Sequence, residues 1–256
     1  MAELRDAIVA AVADAGALAM RRWDEGFDTW EKSPGHPVCA VDLEVDALLR
    51  ARLTAIDPDA GWLSEETVDD KARLERRRLW VVDPIDGTRD YIRRRIGWCV
   101  SVALVEDGRP VIGVLEAPAR DERWTAVAGQ GAWRNGAALR VGDRAILAGA
   151  RAPTDSLPRE DRDLVVVAKP NSIALRIAMV AADEADLLAT LRWGSEWDIA
   201  AAVLIAAEAG ASVSDAFGQP LHFNTPSAKA FGVLATTPGI HAAAVERLAA
   251  RAQAGA

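Results

Sequence analysis

Hydrophobic residues in the first sixty positions recur at helical spacing. In residues 3–22 an apolar side chain follows every three or four positions, which predicts an amphipathic helix. A second series of this kind begins at Asp42 and stops before Pro58, because proline cannot continue a helix. Residues 24–40 lie between the two series and carry several glycines and prolines, which predicts a loop or a hairpin.

The next part of the chain contains short apolar runs that are typical of strands. Residues 79–82 form a continuous run and lead directly into Asp83. The turn sequence at residues 106–109 separates two further runs, as expected of a β-hairpin. The other runs that predict strands in this half are 98–105, 110–116, 124–128 and 139–141. Together these patterns predict helices combined with an antiparallel sheet.

Helical and strand patterns alternate more regularly after residue 160. The predicted helices are 172–182, 198–209 and 240–253. The predicted strands are 164–168, 187–191, 211–214 and 231–235. Glycine and proline cluster in residues 142–160, which indicates a boundary there. We therefore expect an N-terminal α+β lobe, residues 1–145, and a C-terminal α/β lobe, residues 146–256.

Composition then narrows the classes of function. Hydrophobic residues make up 50% of the chain and charged residues 27%, which excludes an intrinsically disordered protein. Acidic residues number 38 against 30 basic ones, so the formal net charge is −8. Because such a chain repels phosphate polymers, we expect no nucleic-acid partner.

Membrane-span, signal-peptide and cysteine patterns indicate where in the cell the protein is located. No stretch approaches the about 18 apolar residues that a membrane span requires, so no membrane partner is expected. The charged start of the chain is not typical of a signal peptide. Cys39 and Cys99 suit free thiols in a reducing compartment, so we expect a cytoplasmic protein.

Two carboxylates follow the strand at residues 79–82. Asp83 ends the strand and Asp86 follows after a turn, so both carboxylates can converge on one point. Gly87 permits a ligand to approach the backbone, and free N–H groups after Thr88 would face the same point. Carboxylates beside phosphate-binding amides need a cation between them, and hard oxygen ligands favour Mg²⁺. Two turns with capping acids explain these residues equally well.

Three motifs in combination are more specific. Residues 83–88 (DPIDGT), 197–201 (WDIAA) with 208–210 (EAG), and 64–66 (SEE) resemble the signatures of the inositol monophosphatase superfamily, in the family order. Shorter matches lie at Lys32, at Pro37-Val38 and in the hairpin at residues 129–136. The resemblance covers most of the chain. It implies an α/β (α+β) fold, the layered αβαβα sandwich of the inositol monophosphatase and fructose-1,6-bisphosphatase type.

The resemblance also implies a set of metal ligands. The matching groups are the carboxylates of Glu65, Asp83, Asp86 and Asp198 and the backbone carbonyl of Ile85. In the family pattern Asp83 bridges two metals, and Asp86 with Asp198 completes the second site. Glu65 would hold a third, weaker ion, so two or three Mg²⁺ ions are expected. These ions would reverse the sign of an acidic pocket, so that a phosphate ester can enter.

Catalytic and substrate-binding residues follow from the same resemblance. Thr88 and Glu65 match the pair that orients the attacking water. Asp42 matches an acid that supports the threonine hydroxyl, and the backbone at Gly87 would hold phosphate oxygens. The residues expected to contact the substrate are Asp86, Gly87, Thr88, Arg192 and Asp198. The implied reaction is hydrolysis of a small phosphate ester by a metal-activated water.

Several features resemble the CysQ-like branch of the superfamily, the 3'(2'),5'-bisphosphate nucleotidases. They are LSEE at residues 63–66, DGTRDY at 86–91 and EWD at 196–198. Arg192 stands where the inositol branch tends to have an acid, and its guanidinium suits a second phosphate, although a surface arginine explains it equally. We therefore expect adenosine 3',5'-bisphosphate as substrate, giving AMP. Inositol 1-phosphate is the second candidate substrate, and fructose 1,6-bisphosphate is the third.

Some positions depart from the family pattern. Cys39 replaces a usual threonine. The loop between Arg192 and Asp198 is short, so the pocket for a nucleotide base is left unassigned. No ligand acid is lost; such a loss would indicate a catalytically silent protein that binds phosphate ligands, the alternative from another class. A Ser-His-Asp hydrolase would need a G-x-S-x-G motif that the chain lacks. The resemblance further implies lithium sensitivity and a homodimer.

Overall fold

The helices and strands of the protein come from a computed structural model that describes residues 1–33 and 36–256, without the side chains of residues 32–38. The family-like positions Lys32, Pro37 and Val38 therefore lie outside the described side chains. The α-helices are α1 (Ala2–Glu25), α2 (Ala40–Ile56), α3 (Thr88–Ile92), α4 (Ile173–Ala181), α5 (Glu196–Glu208) and α6 (His241–Gly255).

The strands fall into one large sheet, one small sheet and two isolated pairs. The strands of the first half are β1 (Thr29–Ser33), β2 (His36–Cys39), β3 (Gly61–Ser64), β4 (Arg78–Asp86), β5 (Cys99–Glu106), β6 (Arg109–Ala117), β7 (Glu122–Val127), β8 (Gly131–Arg134) and β9 (Ala137–Ala138). Those of the second half are β10 (Arg151–Pro153), β11 (Val165–Val167), β12 (Leu187–Ser195), β13 (Ser212–Ser214) and β14 (Lys229–Thr236).

The large sheet has the strand order β3-β4-β5-β6-β7-β8-β9. Its neighbours are antiparallel except β3 and β4, which are parallel. The antiparallel part and the β5–β6 hairpin agree with the sequence pattern, and β1 with β2 forms a hairpin inside residues 24–40. The strand expected near 139–141 is found immediately before these residues, as β9 (Ala137–Ala138) paired with β8, and Leu139 still donates its N–H to the carbonyl of Ala132 at 2.8 Å. Val141 has left the sheet, because its N–H donates to the carbonyl of Ala209 at the end of α5, 2.9 Å away.

Both faces of the large sheet are buried, which explains its continuous apolar runs. In β4, Trp80 and Val82 face the cluster formed with α1 and α2. Leu79 and Val81 face the opposite cluster, formed with α4 and α5. The helix α5 approaches the sheet closely, since a Cβ on Gly113 would lie 2.7 Å from the carbonyl oxygen of Ala201. Glycine in β6 and alanine in α5 therefore set this spacing.

The small sheet, β12-β14-β13, completes the layering. Val233 and Ala235 in β14 face α5, while Leu234 packs with Leu248 of α6 on the other side. The layers are thus α1 with α2, the large sheet, α4 with α5, the small sheet and α6. This arrangement confirms the αβαβα sandwich. The division into lobes at residue 145 stays a prediction. In the described ranges, no helix is both long enough and apolar enough to cross a membrane.

Candidate active site

The end of β4 carries the two aspartates of the DPIDGT motif. Asp83 is 2% exposed, and its Oδ1 accepts the N–H of Ile85 at 3.0 Å. The pairing register with β5 shifts between Asp83 and Asp86, so the strand is irregular between the two acids. Gly87 follows with φ +96°, a left-handed conformation. A Cβ there would lie 2.8 Å from the carbonyl oxygen of Gly97, so glycine is needed for protein packing as well as for a ligand.

The carboxylate of Asp86 points to the start of α4. Its Oδ2 accepts the hydroxyl of Ser172 at 2.6 Å and the N–H of Ala174 at 2.7 Å. Ser172 is also the N-cap of α4, because its hydroxyl accepts the N–H of Leu175 at 2.9 Å. Ser172 was not among the site residues predicted from the sequence. The signal that could have found it is a serine directly before an apolar helical series.

Thr88 stands at the centre of a second group of contacts. Its Oγ1 lies 3.0 Å from the carbonyl oxygen of Ile85 and 3.3 Å from Oδ1 of Asp42. The other carboxylate oxygen of Asp42 accepts the N–H of Cys39 at 2.8 Å and its thiol at 2.9 Å. These contacts form a capping box at the start of α2 with cysteine in place of serine or threonine. Although Cys39 stands where the family pattern has threonine, its hydrogen bonds still hold Asp42 beside Thr88.

Glu65 lies in the turn after β3, and side chains of this turn form hydrogen bonds with Asp46 of α2. The hydroxyl of Ser64 donates to Oδ1 of Asp46, and Thr67 donates to Oδ2 of the same carboxylate at 2.9 Å. The N–H of Glu65 itself donates to the carbonyl of Val82 in β4 at 3.3 Å. Ser64, the serine of the LSEE sequence, thus stabilises the turn that contains Glu65.

Electrostatics show which acids the fold brings together. Burial raises the pKa of Asp83 well above its ordinary value, and the charges of the neighbouring acids raise it further. Those neighbours are Glu65, Asp86, Asp198 and Asp42. Burial also raises the pKa of Asp86, against the hydrogen bonds from Ser172 and the α4 backbone. The acids named from the sequence therefore surround Asp83.

Asp198 enters this group from the first turn of α5. Burial, followed by the charge of Asp86, raises the pKa of Asp198 to about 7, although Arg192 acts in the opposite direction. Arg192 lines one cavity with Asp198, Thr190 and Gly194. The neighbouring Trp193 lies on the other face of β12, where its ring centroid is 5.5 Å from that of Phe231. Of these two residues, Arg192 is thus the one that faces the acids.

Comparison with known proteins identifies this arrangement. The family model described as "Inositol monophosphatase family" matches residues 1–254. The chain belongs to the inositol monophosphatase family. The Escherichia coli (strain K12) 3'(2'),5'-bisphosphate nucleotidase CysQ is 30% identical over 223 residues, which cover 82% of this chain and 89% of CysQ. A Thermotoga maritima protein named "Fructose-1,6-bisphosphatase/inositol-1-monophosphatase" is 33% identical over 214 residues, 80% of this chain and 81% of that one.

A solved structure extends the likeness to the whole fold. The Thermotoga maritima IMPase superposes with a TM-score of 0.84 at 28% identity and covers 99% of both chains. The family includes enzymes named for different phosphate esters, so membership supports a phosphatase of this family and leaves the ester open. The expected homodimer and cytoplasmic location stay predictions.

Inositol monophosphatase family members are generally metal-dependent, and the donor chemistry here suits a hard divalent cation. The candidate ligands are carboxylates and one carbonyl, all oxygen donors of the kind that Mg²⁺ prefers. Among the described residues, no group of three or more acidic, histidine or cysteine side chains is arranged so that it could hold a metal ion. The fit therefore rests on donor type and on the placement of Asp83 and Asp198, whose pKa values are raised by burial first and by the charges of neighbouring acids second.

These pKa values predict how the stability of the metal-free protein depends on pH. The folded state binds protons on Asp83, Asp86 and Asp198 more tightly than the unfolded state, since each folded pKa is raised. Their contribution is therefore fully present below about pH 4 and is lost as the pH rises through about 7, the pKa of Asp198. We expect Tm in EDTA to fall between pH 5.5 and 8, by roughly 5 °C or more.

Thermal denaturation in EDTA and in Mg²⁺ across this range measures the effect. Mg²⁺ should raise Tm most at high pH, where the carboxylates are ionised and able to bind it. The Asp198→Asn variant should show a shallower fall in EDTA, because it removes one of the titrating groups. A metal-free Tm that rises from pH 5.5 to 8 would contradict the prediction.

Proposed function

We propose that the protein is a Mg²⁺-dependent phosphomonoesterase whose preferred substrate is a 3'(2'),5'-bisphosphate nucleotide, such as adenosine 3',5'-bisphosphate, which it converts to AMP. The observation that carries the proposal is the gathering of four acids around the buried Asp83, next to a threonine whose hydroxyl is anchored. The name of the CysQ relative supports this choice of ester.

The metal would be held by the groups that surround Asp83. The proposed ligands are Glu65, Asp83, Asp86, Asp198 and the carbonyl of Ile85, for two or three Mg²⁺ ions. When bound, Mg²⁺ supplies the positive charge that admits a phosphate dianion, polarises the phosphoryl group and acidifies a water molecule. Lithium inhibition by competition for a Mg²⁺ position is part of the proposal.

The protein's own groups would orient the water that attacks the phosphorus. Thr88 Oγ1 has one proton, which it donates to Asp42 or to the Ile85 carbonyl. Its lone pairs are then available to accept a hydrogen bond from the water. Glu65 would accept a second hydrogen bond and take the water's proton as the water oxygen bonds to phosphorus. The bond between phosphorus and the ester oxygen would break in the same step, and that oxygen would take a proton from solvent, which gives AMP and inorganic phosphate. The phosphoryl oxygens would face the backbone at Gly87 and Thr88.

Arg192 is the residue that we expect to favour a bisphosphate. Its guanidinium lines the cavity that also contains Asp198, and a guanidinium matches phosphate oxygens in a bidentate manner. A substrate whose first phosphate lies at the acids would then place its second phosphate near Arg192. Inositol 1-phosphate remains the second candidate, because the Thermotoga relative is named as an inositol-1-monophosphatase.

Phosphate release tests the proposal directly. Adenosine 3',5'-bisphosphate, inositol 1-phosphate and fructose 1,6-bisphosphate are supplied side by side with Mg²⁺, with Mg²⁺ and LiCl, and with EDTA. We expect the highest kcat/KM for the nucleotide, a loss of activity in EDTA and inhibition by lithium. A higher kcat/KM for inositol 1-phosphate would show that this ester, the second candidate, is the preferred substrate. No release from any ester with Mg²⁺ would favour a catalytically silent phosphate-binding protein.

Replacing Arg192 with glutamine should separate the substrates. A charge-assisted hydrogen bond to phosphate contributes about 1.5–3 kcal/mol, so KM for adenosine 3',5'-bisphosphate should rise by roughly 10- to 100-fold. KM for inositol 1-phosphate should change little, since it has no second phosphate. Steady-state kinetics on both esters measures the difference, with the exposed Arg140→Gln as the matched control. Equal changes for both esters would show that Arg192 does not select a bisphosphate.

A further inference from the structure

The first residue of α5 is a buried glutamate that takes no part in the proposed ligand set. Glu196 is fully buried, and its carboxylate accepts three hydrogen bonds from the loop before β14. The donors are the N–H of Asn224 at 2.8 Å, and the N–H and hydroxyl of Thr225 at 2.9 and 2.5 Å. Glu196 thus ties this loop to the helix turn that carries Asp198, two residues further on.

A buried arginine, Arg73, binds the same loop. The guanidinium of Arg73, 1% exposed, donates to the side-chain oxygen of Asn224 at 2.7 Å and to the carbonyl of Thr225 at 2.9 Å. The Asn224 amide returns a hydrogen bond to the backbone carbonyl of Arg73 at 3.1 Å. Arg73 therefore binds both the side chain of Asn224 and the backbone of Thr225.

Arg73 is in turn fixed to the segment that follows Glu65. It makes a two-pronged ion pair with Asp69, at 3.0 and 2.8 Å, and this hydrogen bonding holds the pKa of Asp69 well below its usual range. Lys71 also bonds Asp69 and reaches the carbonyl of Pro226 at 3.0 Å. Asp69 is four residues from Glu65.

These contacts form one continuous chain, which we name the 224–225 bracket: Asp69, Arg73, Asn224, Thr225 and Glu196. One end lies just after Glu65 in the first half of the protein, and the other lies just before Asp198 in the second half. Glu65 and Asp198, which lie beside the two ends of the bracket, both act on the charge of Asp83 but are more than a hundred residues apart in sequence. Each of them repels the charge of Asp83, which disfavours their approach to one centre, so a connection between their backbones has a use beyond stability.

We propose that Glu196 and Arg73 are positioning residues, which hold Glu65 and Asp198 at the separation that a divalent cation cluster requires. This inference rests on the proposed function, since it concerns the ligands named there. Groups that orient metal ligands commonly change metal affinity or activity by about 10- to 100-fold when they are replaced. The bracket consists of partly buried, charge-assisted hydrogen bonds around the buried Arg73 and Glu196, and their geometry is more restrictive than that of an apolar contact.

Direct binding of Mn²⁺, a spectroscopic substitute for Mg²⁺, tests the inference without relying on activity. Electron paramagnetic resonance titration gives the dissociation constant for wild type and for three variants, Glu196→Gln, Arg73→Lys and Thr225→Val. We expect each variant to bind Mn²⁺ about 10-fold more weakly or worse. Arg73→Lys and Thr225→Val leave the net charge unchanged, so weaker binding in them reflects geometry rather than a lost charge.

Glu208→Gln provides the matched control. Glu208 lies in the same helix, and its carboxylate accepts two backbone N–H groups, those of Gly129 and Gly131, both at 2.8 Å. It therefore loses a comparable structural contact at the far end of α5, and its Mn²⁺ affinity should match that of wild type. In phosphate release, the bracket variants should regain kcat as Mg²⁺ is raised, with KM for substrate nearly constant.

The possible results separate this inference from the proposed function. If wild type binds no Mn²⁺ and releases no phosphate, the proposed function fails. If wild type binds Mn²⁺ and folded bracket variants bind it equally well, the positioning role of Glu196 and Arg73 is overturned. The same conclusion follows if Glu208→Gln weakens binding as much as Glu196→Gln does. Thr225→Val removes only one hydroxyl, so it keeps the test decisive should the charged variants not fold.

Discussion

Asp83→Asn should abolish phosphate release and at the same time stabilise the metal-free protein. Asp83 is the centre of the acidic group; its burial, and then the charges of its neighbours, raise its pKa well above the ordinary range. An asparagine removes the central charge that the cations need, so turnover should fall by at least about a thousandfold, several kcal/mol of lost transition-state stabilisation. It also removes a carboxylate that is costly to ionise, so Tm in EDTA at pH 8 should rise.

The opposite signs of these two effects make the measurement specific. Asp161→Asn is the matched control, because Asp161 is also buried but is paired with Arg251 through two hydrogen bonds, at 2.7 and 3.0 Å. Its replacement should lower Tm and leave turnover unchanged. Phosphate release and thermal denaturation with and without Mg²⁺ are compared for both variants. Retained turnover in Asp83→Asn, or a lower Tm in EDTA, would contradict the central position of Asp83.

The second large effect is expected at Thr88. Valine has nearly the same shape as threonine but cannot donate to Asp42 or accept a hydrogen bond from a water. Because general acid–base and water-orienting groups contribute about 10²- to 10⁴-fold, Thr88→Val should lower kcat by that order with KM almost unchanged. Thr88→Ser keeps the hydroxyl and should retain most of the activity.

Metal binding serves as the internal control for Thr88. Its side chain is not among the proposed ligands, so the Mn²⁺ affinity of Thr88→Val should stay near that of wild type. A large loss of Mn²⁺ affinity would mean that the hydroxyl acts through the metal site. Equal kcat values for the valine and serine variants would show that the hydroxyl does not orient the attacking water.

Local patterns predicted the elements whose neighbours in sequence are also their neighbours in space. The helix at residues 3–22, the run 79–82 and the hairpin of β5 and β6 are all found close to their predicted bounds. The parallel strand β3 (Gly61–Ser64) was not predicted, because Trp62 and Leu63 form an apolar run of only two residues. Its partner in the ladder is β4, and parallel pairing leaves no turn signal between the strands.

In the candidate site too, residues close in sequence were predictable and residues distant in sequence were not. Asp83, Asp86, Gly87 and Thr88 lie in six consecutive residues, so their order alone suggests a common location. Ser172 could not be found so directly, because it is 86 residues from the aspartate that it contacts. The contact between Arg73 and Asn224 joins residues 151 positions apart, and no periodicity encodes it.

The sequence by itself determined the family, the identity of the acids and the course of most elements, because these depend on residue type and on local spacing. Only the tertiary structure decided which charges meet. Packing of α5 against Gly113 brings Asp198 to the end of β4, and the 224–225 bracket connects it to the segment that carries Glu65. Such convergence depends on burial and on hydrogen bonds between distant parts of the chain, so it follows from the complete packing and not from any one motif.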